Sequence, residues 1–202
     1  LDTYFAMARG VQEKQGVGTA AVQAMEMTKW FDTNYHYIVP EFAKGQRFRL
    51  SSEKPFVEFK EALALGVKTR PVLIGPITYL LLGKSKGGKF STFQLLDSLL
   101  KVYAEILSKL KFLGAEAVQI DEPFLVLDLD AKAKAAFSKA YRTLARQVPN
   151  LPLYLTTYFG ALNGNLKLAA SLPVAGLHLD LVRAPEQLKK ALKAVPKNKV
   201  LS

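Results

Sequence analysis

Hydrophobic residues recur along this chain in two alternating patterns. Apolar positions at 93, 96, 99, 100, 103, 106, 107, 110 and 113 form one stripe at helical spacing, predicting a long helix over 92–113 ended by Gly114. A second stripe at 133, 136, 137, 140, 141 and 144 predicts a helix over 131–147. Shorter helices are predicted over 20–28, over 56–65 with Gly66 as its stop, over 166–172, and over 186–194 with Pro185 in its first turn. Between them lie short, mostly apolar runs at 70–74, 117–120, 152–156, 176–179 and 199–201, and an aromatic run at 35–39 stopped by Pro40. Such runs suit strands covered on both faces. Loops are expected over 1–18, which holds Gly10, Gly16 and Gly18, over the polar 44–54, and over the Lys/Gly/Ser segment 84–89.

Short strands alternating with amphipathic helices predict an α/β fold in which helices cover a parallel sheet. The six strands expected near 37, 72, 118, 154, 178 and 200 are too few to close a (β/α)8 barrel. The pattern fits most of a TIM-type barrel, incomplete at both ends, as a single partial domain over 1–202. No G-x-G-x-x-G follows any strand, which disfavours a dinucleotide-binding fold.

Half of the residues are hydrophobic, enough for a sizeable core, yet no run approaches the ~18 apolar residues of a membrane span. The opening Leu1-Asp2-Thr3-Tyr4 has no feature of a signal or transit peptide. The absence of Cys excludes disulfides and thiolate-ligated metal and suits a reducing compartment, so a cytoplasmic location is expected. With only His36 and His178, a metal site here would have to rest on carboxylates, and none is expected. The formal charge of +11 raises nucleic acid or another polyanion as a partner. Against that, Lys132, Lys134, Lys139, Arg142 and Arg146 are spread along one helix and read as a solvated face, without any nucleic-acid motif. Two i,i+4 pairs, Asp97 with Lys101 and Glu105 with Lys109, are expected on the wet side of the long helix.

In parallel α/β folds, chemistry collects where strands end. Here those ends carry Gly75-Pro76-Ile77-Thr78, Asp121-Glu122-Pro123, Thr156-Thr157-Tyr158, and Asp180 with Arg183, all expected on one rim. Asp121 and Glu122 admit two readings. They are either an acid/base pair of a self-contained barrel hydrolase, or structural groups, with Asp121 accepting backbone or Tyr hydrogen bonds and Glu122 pairing with a base such as Arg183. Strand neighbours point to opposite faces, so the first reading needs the strand to break between them, as Pro123 suggests. A further stretch, residues 27–42, interleaves Trp30, Phe31, Tyr35, Tyr37 and Phe42 with Lys29, Asp32, Asn34 and His36. Polar groups between large rings read either as a binding wall or as an aromatic turn into a strand. His36 and His178 read as satisfied histidines, and 84–89 lacks the full phosphate-loop pattern.

The run Met27-Thr28-Lys29-Trp30-Phe31-Asp32-Thr33-Asn34-Tyr35-His36-Tyr37-Ile38-Val39-Pro40-Glu41-Phe42 resembles a signature of the cobalamin-independent methionine synthases, in their N-terminal domain. The resemblance continues in order through Gly75-Pro76-Ile77-Thr78, Val118-Gln119-Ile120-Asp121-Glu122-Pro123, Thr156-Thr157-Tyr158-Phe159 and Gly176-Leu177-His178-Leu179-Asp180-Leu181-Val182. It implies one of two barrels of a methyltransferase that moves a methyl group from 5-methyltetrahydropteroyltri-L-glutamate to L-homocysteine, giving methionine. The implied parent is monomeric and uses no cobalamin. It holds zinc in a catalytic C-terminal barrel that this chain lacks, and binds homocysteine there. This segment is then a non-catalytic scaffold, inactive alone, with no catalytic residue and no metal ligand of its own. Its implied contribution is grip on the folate oligoglutamate tail by Lys29, with Asn34 second, and Asp121-Glu122 becomes a structural relic. A basic segment that the family carries near its start is missing here.

Overall fold

The computed structural model describes residues 2–11 and 21–202. Five strands make one open parallel sheet: β4 (Val72–Ile74), β6 (Val118–Asp121), β7 (Leu153–Thr156), β8 (Gly176–His178) and β9 (Val200–Leu201), adjacent in that order. Each crossover carries helix, and α4 (Leu96–Phe112) and α5 (Ala131–Gln147) are the longest. Both follow their stripes. In α5 the buried residues are Ala133, Ala136, Phe137, Ala140, Tyr141 and Leu144, the positions at which the sequence is periodic. Asp130 starts that helix by accepting the Ala133 N–H. α2 (Lys54–Ala64), α6 (Leu166–Ser171) and α7 (Leu188–Ala194) match three more of the predicted helices.

Val118, Ile120, Leu153, Leu155 and Leu177 alternate onto the helix-covered face and are buried with the helix stripes in one core. Gln119, Asp121, Tyr154 and His178 occupy the other face. All strands run the same way, so the carboxyl ends of β4, β6, β7 and β8 share one rim, as expected.

Several expectations are corrected. The expected six strands become five in the sheet, because His36–Ile38 (β2) pairs instead with β1 (Met27–Lys29) as an antiparallel hairpin. The described residues form an open parallel sheet. Residues 21–29 are extended and not helical: their good helix formers are overridden by pairing with β2 and by a bridge from Val22 to Val11. Part of the loop expected over 1–18 is helix, α1 (Asp2–Arg9), stopped by Gly10 at φ 73°; residue 1 and residues 12–20 lie outside the described residues. Segment 84–89 is not all loop. Lys84–Lys86 is a strand, β5, parallel to β3 (Glu41–Ala43) and held by Lys86 to Glu41 at 2.5 Å and by Lys84 to Glu26. Its side chains are exposed throughout, so it has no apolar signal. A helix that the periodicity did not show, α3 (Pro76–Leu82), follows Gly75 directly. The expected i,i+4 pairs of α4 give way to pairs with other elements, Asp97 with Lys139 at 2.6 Å and Lys109 with Glu53 at 2.5 Å.

Candidate functional site at the strand-end rim

Asp121 and Glu122 leave the end of β6 on opposite sides. Glu122 turns into the core beneath the start of α3 and is fully buried. Its carboxylate accepts the backbone N–H of Thr78 at 2.7 Å and of Ile77 at 3.2 Å, and the Tyr141 hydroxyl at 3.2 Å. These are two of the otherwise unpartnered donors at the first turn of α3. The close fit is possible because residue 75 is Gly: a Cβ there would overlap the Glu122 carboxyl. Burial pushes the Glu122 carboxyl up to about 7, outweighing the donors around it. Shut away from solvent and filled with partners, Glu122 cannot reach a substrate. The expected acid/base pair is therefore not assembled, and neither is the ion pair with Arg183. Glu122 is a structural bolt between β6, α3 and α5.

Asp121 lies half-buried on the other face. Its carboxylate accepts from the Gln119 amide at 2.8 Å and the Tyr158 hydroxyl at 3.2 Å, the Tyr partner expected for it. Burial raises its carboxyl, opposed by these two hydrogen bonds and by His178 nearby. Sheet register sets Ile74, Asp121, Thr156 and His178 side by side in one row. His178 is exposed, with Nδ1 3.0 Å from Ser202 Oγ. Among the described residues no group of three or more His, Cys, Asp or Glu could hold a metal ion.

The aromatic stretch forms the third part of the rim. In the β1–β2 hairpin, Thr33 donates its hydroxyl to the Trp30 carbonyl at 2.6 Å and accepts the Tyr35 N–H at 3.2 Å, which braces the turn. Trp30 packs edge-on against Phe31 and Tyr37. Phe31, at the tip, meets Phe124 after β6 and Phe159 after β7, with ring centroids 5.5 and 5.2 Å apart. Asp32 pairs with Arg183, after β8, at 2.5 Å. The hairpin thus lies against the strand-end rim. Lys29 stands at its end, exposed and directly across from exposed His36, and exposed Asn34 occupies the turn, where its carbonyl lies 3.2 Å from His36 Nδ1. Lys29 and Asn34 are brought onto one hairpin.

Asp180 ties the rim loops together. One oxygen accepts the Phe159 N–H at 2.9 Å, and the other accepts the N–H groups of Arg183 at 2.9 Å and Val182 at 3.1 Å. Those hydrogen bonds, that from Arg183 above all, hold its carboxyl below the usual range. Sequence reasoning missed Tyr141, hidden within an ordinary helix stripe, and missed the roles of Phe31, Asp32 and Phe159. The signal for Phe31 and Asp32 was the aromatic run itself, whose partners, Phe159 among them, lie far along the chain.

A sequence profile described as "Cobalamin-independent synthase, N-terminal domain" matches residues 1–202. A 5-methyltetrahydropteroyltriglutamate–homocysteine methyltransferase of Rhodopseudomonas palustris is 55% identical over 214 residues, covering 100% of this chain and 27% of the relative. A relative of the same name from Salinibacter ruber is 56% identical over 204 residues, covering 100% of this chain and 26% of its own length. The chain thus spans about a quarter of the length of such relatives. Among solved structures, a crystal structure from Listeria monocytogenes, provisionally named a vitamin-B12 independent methionine synthase, superposes with a TM-score of 0.51 at 15% identity. The match covers 69% of this chain and 47% of that one, and it speaks to the fold alone.

Proposed function

Because the chain belongs to the family of cobalamin-independent synthase N-terminal domains, we propose that it is one segment of a methyltransferase. The parent moves a methyl group from 5-methyltetrahydropteroyltri-L-glutamate to L-homocysteine. The observation that carries this is identity of about 55% along the whole chain with proteins bearing that name. In this reading residues 1–202 are a single partial barrel domain of a longer, monomeric, cytoplasmic protein, and its sheet is completed by further strands of the same polypeptide.

The rim supports a binding role rather than a chemical one. Glu122 is sealed, Asp121 is engaged by Gln119 and Tyr158, and the freely presented groups are on the hairpin. The tail of the folate substrate is a row of carboxylates, which calls for ammonium and amide donors. Lys29 supplies an ammonium with three donors, and Asn34 is a second, neutral donor close by on the same hairpin. Zinc, when bound in a family member, holds the homocysteine sulfur as a thiolate. The described residues offer no ligand set for it, and this reading places it in another part of the parent.

The test is Lys29→Ala in the full-length parent. KM for the triglutamate substrate is expected to rise roughly tenfold, the scale of one charge-assisted hydrogen bond, with kcat unchanged. An unchanged KM would remove Lys29 from the tail site.

A further inference from the structure

We propose that Phe31 and Asp32 form a latch that holds the β1–β2 hairpin on the rim and so sets where Lys29 stands. The positioning role rests on the tail-binding reading of Lys29. The tip of the hairpin touches three successive loops: Phe31 packs on Phe124 and Phe159, and Asp32 holds the Arg183 guanidinium. That guanidinium also sits 5.3 Å from the centre of the Phe159 ring.

Backbone strain marks the same place. Phe31 has φ 52° and Phe159 has φ 79°, left-handed conformations that bulky residues rarely adopt. Such outliers persist where the surroundings over-determine them, and they cluster at clamps and switches. Here the two strained residues stack on each other. The Asp180 carboxylate fixes two of the tip's three partners at once, by accepting the Phe159 N–H and the Arg183 N–H. Within the hairpin, the Thr33 brace and the antiparallel ladder make the tip and Lys29 one piece, since only Trp30 separates Lys29 from Phe31. A shift of the tip therefore moves Lys29. Asp32 and Arg183 are positioning residues: neither is assigned a contact with the tail, and both act through the hairpin.

Trp30, the sole tryptophan, reports directly on docking, because its ring packs on Phe31. The variants are Asp32→Arg, Arg183→Asp and the double exchange in the 202-residue chain, with far-ultraviolet circular dichroism to confirm the fold. Each single variant is expected to raise acrylamide quenching of Trp30. Each should also lower the preference for pteroyltriglutamate over pteroylmonoglutamate roughly fivefold, measured by calorimetry, about 1 kcal/mol. The double exchange restores opposite charges and is expected to recover both readouts. Unchanged quenching in both single variants overturns the latch. Raised quenching with an unchanged preference, where Lys29→Ala abolishes that preference, overturns the positioning role. If Lys29→Ala leaves the preference intact, the tail reading of Lys29 falls, and Trp30 quenching and its recovery alone then decide the latch.

Discussion

At the scale of single residues, Glu122 makes the strongest statement. A carboxyl with no exposed surface has its proton affinity set by burial, and here burial lifts it from 4.5 to about 7. The native state therefore binds this proton more tightly than the unfolded chain. The stability linked to it is full below the unfolded value and is lost as pH rises through about 7. Urea unfolding of the wild type should show that decline between pH 5 and 8, by up to ~3 kcal/mol, whereas Glu122→Gln flattens its share. The difference between the two pH profiles isolates this one group, and identical profiles would contradict its raised affinity. Asp121, one residue earlier, shows why a sequence motif underdetermines chemistry. Asp-Glu-Pro at a strand end was legible as a site, but adjacent carboxylates diverge across the sheet, and only packing reveals which one is sealed. The Tyr hydrogen bond to Asp121 was foreseeable in kind; the Tyr141 bond to Glu122 was not, because Tyr141 sits on a stripe that reads as ordinary core.

At the scale of elements, the joint between β4, α3 and β6 depends on a missing side chain. Gly75 leaves room for the Glu122 carboxyl to meet the first turn of α3, and Gly75→Ala forces overlap with it. We expect that substitution to cost on the order of 2–3 kcal/mol in chemical denaturation, as overpacking of a tight core does. Shortening the obstructing side chain as well, in Gly75→Ala with Glu122→Ala, should cost less than the sum of the two single changes by about 1 kcal/mol or more. Strict additivity would mean that the two residues do not share the space. The elements legible from sequence were those whose burial is periodic: α4, α5 and the short apolar strands came out within a few residues of their observed ends. Those that failed lie mostly at the amino-terminal side, where structure comes from partners distant in sequence. β1 takes its form from β2, and β5 takes its form from β3 and two glutamates, so neither announces itself in hydropathy. α3 escaped because it packs almost entirely apolar residues into seven positions, too short a run to show a period.

At the scale of the whole molecule, the described residues hold a well-packed core on one face of the sheet and a polar row on the other, with β4 and β9 as unpaired edges. The chain alone is expected to give no methyl transfer from 5-methyltetrahydropteroyltriglutamate to homocysteine. Activity should appear only when the rest of the parent polypeptide is supplied, and turnover by the isolated chain would sink the scaffold reading. The α/β architecture, and the rim on which the strand ends gather, were readable from the alternation of stripes and apolar runs. The hairpin that crosses that rim was not, since its contacts join residues far apart along the chain. That separation has a consequence for biosynthesis. Asp32 and Arg183 are 151 residues apart, so the ribosome must add that many residues after Asp32 before its ion-pair partner exists. At ~5–20 residues per second, the Asp32–Arg183 pair cannot form until roughly 8 to 30 seconds after Asp32 is added.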